Sequence, residues 1–368
     1  MATGVFRELL ETDLGKGVSL IDPLRNHRWD RFVHAHPYGW ITHLSGWKRV
    51  LDKNFQHMCG YYLALTTPGG AIKAALPIYA VRSWLTGRRL VSIPFATLCD
   101  PLVSEPSEME ILCDAVLRLA EQLEIPRIEI RTAQAPHLLD RERFRTDCGH
   151  KHHFIRLSRD PEEVRMRFHR SCVRQRILRA ENSGLSIIRG RREADLMDFY
   201  ILHRVMRRKR GLPPQPYPLV KSLWQAFSGQ GLAELLLCRK GAETVAGVLL
   251  FTYKGRVSIE YSAMDAYHID CSPLHFLLWN VIKDACRAGY QRFDFGQTKE
   301  QNKSLMDFKS HWGTEILDLP HFLYPNDPAL PSPLYNRSLA RKALHYLCNK
   351  APDTALSYLG EFCYRHMG

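Results

Sequence analysis

The feature that most limits the fold of this chain is a repeated order of elements: a hairpin, a long helix and a short strand occur once in each half, about 165 residues apart. In the first half, residues 45–55 read as a short helix and 61–66 as a strand. Thr66-Thr67-Pro68-Gly69-Gly70 is turn chemistry and 71–81 a second strand. A strand near 90–93 precedes Ser107-Glu108-Met109-Glu110, which reads as a capping box opening a helix to about Leu123. Ile125-Pro126 ends that helix, and 127–131 alternates as a strand. In the second half, 232–238, 244–253 and 256–263 read as strands separated by Lys240-Gly241 and Lys254-Gly255. A helix over 273–288 follows, stopped by Gly289, and then a strand over 291–295. A hairpin followed by a helix and one more strand builds a mixed sheet, so the expected fold class is mixed α/β with two such units.

The expected domains are residues 1–155, residues 156–322, and a tail over 323–368. Pro325-Asn326-Asp327-Pro328 and Pro331-Ser332-Pro333 mark the tail's linker. Beyond it, Leu339, Ala343, Leu344, Leu347, Leu356, Leu359 and Phe362 recur at helical spacing among Arg and Lys. Such a tail packs on the body, with peripheral membrane contact through residues 334–368 as the other reading. The 368 residues, 45% of them hydrophobic, suffice for both cores. Ten cysteines without a C-x-x-C pair read as reduced thiols, and no uninterrupted apolar stretch reaches the ~18 residues of a membrane span. The start of the chain lacks the apolar core of a signal peptide. The expected location is the cytoplasm, including the inner face of the membrane.

Net charge is +13, and it is concentrated: residues 156–210 hold 16 basic and 7 acidic side chains. Such a cluster attracts anions, whether nucleic acid, nucleotide, phospholipid or sugar phosphate. Asp160 as N-cap, Pro161 at the first position and Glu162 and Glu163 in the first turn predict a helix running to about Asn182, with Gly184 as the stop. Val164, Phe168, Gln175 and Leu178 would share one face and Arg167, Arg170 and Arg174 another. Arg170, Arg174, Arg176 and Arg179 lack the acidic i+4 partners of a solvated helix, and guanidinium geometry matches phosphate, so these four are the candidate donor-binding residues. The second basic run, 207–210, closes a helix where cations suit the dipole.

Phe293-Asp294-Phe295-Gly296 has the look of an active-site wall. Asp294 in strand register orients Lys309 or an acceptor, acts as base, or caps the turn at Gly296. Trp47 and Tyr261 are candidates to stack on or bond a ligand, as is Trp312. His150-Lys151-His152-His153 alternates sides on a strand and is not read as a metal site, and His169 with Cys172 lacks the orienting partner of a Cys–His nucleophile. No metal is expected.

Trp47, Ser92-Ile93-Pro94-Phe95, Arg174-Gln175-Arg176-Ile177-Leu178-Arg179-Ala180, Val245-Ala246-Gly247, Tyr261-Ser262-Ala263, Ser272-Pro273, Phe293-Asp294-Phe295-Gly296 and Phe308-Lys309-Ser310-His311-Trp312-Gly313 come in an order that resembles the FemAB-like branch of the GNAT acyltransferases, including its BioF2-like or CelD-like domains found beside exopolysaccharide genes. The resemblance covers residues 30–320. It implies two tandem GNAT-like domains and transfer of an acyl group to an amine or hydroxyl of a cell-envelope or exopolysaccharide precursor, by direct attack in a ternary complex. It also implies that Lys309 holds the donor or its transition state. The donor is acyl-CoA or, as in Fem-type relatives, aminoacyl-tRNA, and the acceptor a sugar or nucleotide sugar. Two departures bear on this: the loop over 267–273 has no glycine to cradle a pyrophosphate, and 96–101 has none after the Pro-Phe pair. The rival classes are a non-catalytic nucleic-acid-binding protein and a scaffold in polysaccharide assembly.

Overall fold

The computed structural model describes residues 14–15, 17–135, 139, 142–327 and 338–367. Along the chain the elements are β1 (Val18–Leu20), α1 (Trp29–Ala35), α2 (Ser45–Asn54), β2 (Met58–Thr66), β3 (Ile72–Ser83), β4 (Gly87–Ser92), α3 (Pro106–Gln122), β5 (Ile128–Arg131), β6 (Arg145–Asp147) and β7 (His150–Arg156). Then come α4 (Pro161–Met166), a π-helical turn (Arg170–Arg174), α5 (Gln175–Glu181), β8 (Leu185–Gly190), α6 (Glu193–Lys209), α7 (Tyr217–Ser228), β9 (Ala233–Lys240), β10 (Glu243–Tyr253) and β11 (Arg256–Met264). A 3-10 turn (Ala266–Cys271) leads to α8 (Pro273–Arg287), β12 (Arg292–Lys299), α9 (Lys303–Ser310), β13 (Glu315–Asp318), β14 (His321–Tyr324), α10 (Ser338–Lys350) and α11 (Asp353–His366). All the elements read from the repeat are present, with boundaries shifted by a few residues.

The chain divides into two compact units. The first is Met1–Gly149 with Asp318–Arg337 and Cys363–Gly368; the second is His150–Leu317 with Ser338–Phe362. Each contains a seven-stranded mixed sheet, ordered β1-β2-β3-β4-β5-β14-β6 in the first and β8-β9-β10-β11-β12-β7-β13 in the second. The correspondence is position by position. In each, an antiparallel hairpin leads to a strand (β4, β11) that pairs in parallel with the strand (β5, β12) following the long helix. The predicted duplication is therefore a duplication of topology, and the fold is mixed α/β with two units of like strand order in tandem. The sixth strand breaks chain order in both: β14, encoded after the second unit's sheet, lies between β5 and β6 in the first.

In the first unit α3 packs on the sheet through Met109, Leu112, Cys113, Val116 and Leu119, the i, i+3, i+4, i+7 set of an amphipathic helix. Its N-terminus differs from the predicted box. Pro106 occupies the first turn, and the Glu108 carboxylate accepts the amides of Ser104 and Glu105, so Glu105 and not Ser107 stands at the cap. Gly60 is required by the hairpin partner: a Cβ there would meet the Tyr79 ring at 2.7 Å. Past their two shared pairs, Leu90↔Ile128 and Val91↔Glu129, β4 and β5 separate, and the buried Arg131 fills the gap. Its guanidinium donates to the carbonyls of Ser92, Ile93 and Ala96. The following loop is tied down as well: the Asp100 carboxylate accepts from Thr132 Oγ1 and the amides of Ala133 and Gln134.

The basic helix of the sequence reading is not continuous. It ends after α4, and His169 takes an extended ψ of 130° before the π-helical turn begins. The cause is non-local: the His169 amide donates to the His311 carbonyl at 2.8 Å, which pulls it out of the helical ladder. The shift in phase rotates the buried face to Val173, Ile177 and Ala180, and leaves Gln175 and Leu178 exposed. Val164 and Phe168 are buried as expected.

The C-terminal helices pack through Cys348, Leu356 and Tyr364, while Ala343 and Leu347, read as part of the apolar face, are exposed. Asp353 pairs with Arg204 at 2.8 Å and Arg208 at 2.7 Å, and Gly360 lies so close to Pro214 that a Cβ would reach its carbonyl oxygen at 2.4 Å. Part of the second basic run is thereby accounted for. The linker read at 331–333 lies outside the described residues. Among the described residues, no helix is long and apolar enough to cross a membrane.

Candidate functional site

In the second unit β11 and β12 share three parallel pairs, Arg256↔Arg292, Val257↔Phe293 and Ser258↔Asp294, and then diverge. Two β-bulges stand just past the last shared pair. On β11, Leu249 faces Tyr261 and Leu250 faces Ile259, so Glu260 is the extra residue. On β12, Asp294 faces Phe154 and Gly296 faces His153, so Phe295 is the extra one, with Gly296 at φ 71° beside it. A bulge bends its strand and re-aims a side chain. Two of them at one level force the strands apart and turn backbone edges toward the split.

The charged groups around this split are strongly perturbed. Glu260 is half-buried, and burial together with the Asp294 charge lifts its pKa to about 8 against a hydrogen bond from Tyr261 that lowers it. Asp294 does what a turn cap does, accepting the Gly296 amide at 2.7 Å, and also pairs with His152 Nε2 at 2.7 Å. Burial pushes the Asp294 carboxyl up, but His152, Arg256 and that amide outweigh it and hold it below the usual range. An acid so stabilised as its anion is a poor base. Lys309, from α9, is buried and donates to the carbonyls of Gly296 and Gln297, each at 3.0 Å. Burial brings its pKa down to about 7, with Asp294 opposing the fall. The ammonium thus braces the bulged edge of β12. His153, on the opposite side of β7, is brought down to about 4 by burial and by Lys309.

A cavity of about 440 Å³ opens between the π-helical turn, the first turn of α8 and α9. Cys172, Arg176, His275, Asp307, Phe308 and His311 line it. His275 is the third residue of α8, so the positive end of that helix faces the cavity, and burial with Arg176 nearby keeps the imidazole neutral, at about 4. Arg176 is the one of the four predicted arginines in this lining. Arg170 and Arg179 stand exposed, and Arg174 donates to the Met166 sulfur at 3.4 Å. A shared face for Arg167, Arg170 and Arg174 was expected from an unbroken helix, and the π-helical turn breaks that spacing. Arg167 donates to the Arg156 carbonyl. The predicted aromatics are core residues: Trp47 is 1% and Trp312 0% exposed, Trp312 packing against Phe168, His275 and Phe295. Tyr261 is buried beside His203. Full burial leaves Trp47 and Trp312 no surface for a ligand. Glu260 escaped the sequence reading because a lone acid in an alternating strand looks solvent-facing, and its bulge exists only relative to β10.

Residues 167–310, within the second unit, match the family model described as an acetyltransferase (GNAT) domain. No curated protein matches the sequence. Among solved structures, FemX superposes with a TM-score of 0.68 at 16% identity, covering 84% of this chain and 97% of that one. L-PGS from Bacillus licheniformis gives 0.54 at 14% identity, covering 88% and 97%. The C-terminal domain of a protein from Agrobacterium fabrum, provisionally named a lysylphosphatidylglycerol synthetase, gives 0.51 at 14% identity, covering 82% and 91%. At these identities the likeness is one of fold.

Proposed function

We propose that the chain is an acyltransferase whose reaction centre is the split between β11 and β12, with acyl-CoA as donor and an amine as acceptor. The observation that carries this reading is the pair of bulges that opens the split and sets Glu260, with its raised pKa, at the same level as the braced carbonyl edge of β12. Unpaired strand edges take up an extended, amide-bearing ligand by strand addition, which suits the arm of a CoA thioester. The cavity at the N-terminus of α8, with Arg176, suits an anionic part of that donor and falls within the size range of small-molecule sites. In the reaction the acceptor nitrogen attacks the thioester carbonyl carbon, the C–S bond breaks, the thiolate leaves and the amine proton passes to Glu260. Lys309 keeps the bulged edge in place and Asp294 fixes the turn that carries it. We extend the acceptor to an amine or hydroxyl of a cell-envelope or exopolysaccharide precursor.

A second reading is transfer of an aminoacyl group from tRNA, supported by the exposed Arg170 and Arg179 and by the fold shared with FemX and L-PGS. The deciding experiment offers the purified chain acetyl-CoA, longer acyl-CoAs and charged tRNA, each with amine acceptors, and follows free thiol release or loss of aminoacyl-tRNA. Thiol release dependent on Glu260 upholds the first reading. Turnover with charged tRNA alone replaces it with the second, and turnover with neither removes both.

A further inference from the structure

His311 belongs to the Phe308-Lys309-Ser310-His311-Trp312-Gly313 motif, but the acyl-transfer reading gives it no role. It follows directly on α9, and its carbonyl accepts the His169 amide at 2.8 Å. That bond sets the start of the π-helical turn against the end of α9 and brings the His169 and His311 rings to 4.9 Å. Cys172 sits three residues beyond His169. One candidate ligand atom from each of His169, Cys172 and His311 lies within 4.8 Å of the other two.

We propose that His169, Cys172 and His311 form a binding site for a borderline divalent ion of the zinc class. Two imidazoles and one thiolate are the donor set such ions prefer over oxygen-seeking magnesium or calcium. A His-x-x-Cys pair on one turn with a third ligand from a separate segment is ordinary spacing for a zinc site, and a π-helical turn is a rare element often found at functional positions. Three protein ligands leave a fourth position. Cys172 and His311 both line the cavity, so that position faces it, and Asp307, one helical turn before His311, lines it too. Arg176 on the same lining repels a cation, while the thiolate and Asp307 offset that repulsion.

One hydrogen bond must change. His169 Nδ1 accepts the Cys172 amide at 3.2 Å and lies 3.4 Å from Ser171 Oγ. Metal on Nε2 moves the ring proton to Nδ1, which then donates to Ser171 Oγ; metal on Nδ1 replaces the cap outright. Either way a single N-cap bond is exchanged for coordinate bonds from three ligands. Because the ligands come from both the π-helical turn and the end of α9, a bound ion clips two walls of the cavity together.

The test uses the full chain, stripped with a chelator and titrated with Co²⁺ while thiolate-to-cobalt charge transfer is followed in the near ultraviolet, with native mass spectrometry of the zinc-loaded chain. One ion per chain with a charge-transfer band is expected. Cys172→Ser should abolish the band, and His169→Gln or His311→Gln should weaken binding at least about tenfold. All three side chains are half-buried or exposed, so circular dichroism should find the variants folded. An absent band in the unaltered chain, or a zinc stoichiometry unchanged by Cys172→Ser and His311→Gln, overturns the proposal.

Discussion

The two units arrange the same strand order around different local chemistry. In the first, β4 runs buried through the point of separation, no bulge intervenes between it and β3, and Arg131 caps the buried carbonyls of Ser92, Ile93 and Ala96. In the second, β11 and β12 are both bulged at that level, and Ser258, Ile259 and Glu260 of β11 are half-buried beside the buried Phe293, Asp294 and Phe295 of β12. The cation on the backbone carbonyls is Lys309 from α9, and Glu260 adds a carboxyl with a raised pKa. The difference teaches that a duplicated topology places a split in each unit, and that a few side chains decide how it is lined. In the first unit a guanidinium takes three carbonyls; in the second an ammonium takes two, those of Gly296 and Gln297, and the bulged strands share no pair past Ser258↔Asp294.

The comparison can be broken most sharply at Glu260. Glu260→Gln should lower kcat by at least about 100-fold with the fold intact. The base must be ionised to act, so kcat/KM in the unaltered protein should climb with pH and level off above about 8, a limb that the Gln variant lacks. A variant retaining the same pH limb would move the base elsewhere. Next in size, Arg131→Met should cost the first unit about 3 kcal/mol in urea denaturation, since it strips three buried carbonyls and the half-buried Glu129 of a partner. A loss under about 0.5 kcal/mol, the level of ordinary surface changes, would mean the filled split is not a structural device.

The third test concerns Lys309. Its folded pKa of about 7 against an ordinary 10.5 means that the folded chain binds fewer protons than the unfolded chain between those values. Stability should therefore rise with pH across that window, and the rise should be missing in Lys309→Met. Denaturation midpoints at several pH values read this directly, and an equal rise in both proteins would deny the burial of the ammonium. The smallest effect is expected at Arg176→Ala, a rise in KM for the anionic donor of about tenfold with kcat little changed, matching one lost charge-assisted contact worth ~1.4 kcal/mol. An unchanged KM would separate the cavity from donor binding.

What was legible in the sequence was what adjacent residues determine. Alternation and glycine punctuation located β2, β3, β9, β10 and both long helices, and Asp160 was correctly read as a cap whose side chain accepts the Glu162 amide. Asp294 and Lys309 were singled out and do lie close, both against Gly296. What was not legible depends on distant partners. The basic helix breaks because a carbonyl more than a hundred residues later, that of His311, takes the His169 amide. Glu260 becomes a bulge only when β11 is set against β10, and Trp47 and Trp312 look like ligand platforms until the sheets bury them. Charge in a run of arginines is visible in the sequence; the phase that aims it is not.

The position of β14 has a consequence for biosynthesis. The strand that separates β5 from β6 emerges from the ribosome only after the whole second sheet has been made. Until then the first sheet lacks an interior member, and Arg145–Asp147 has no strand to join. The early-made half must therefore wait, incomplete, for its missing piece, and expressing residues 1–155 by themselves should yield a frayed, protease-sensitive product.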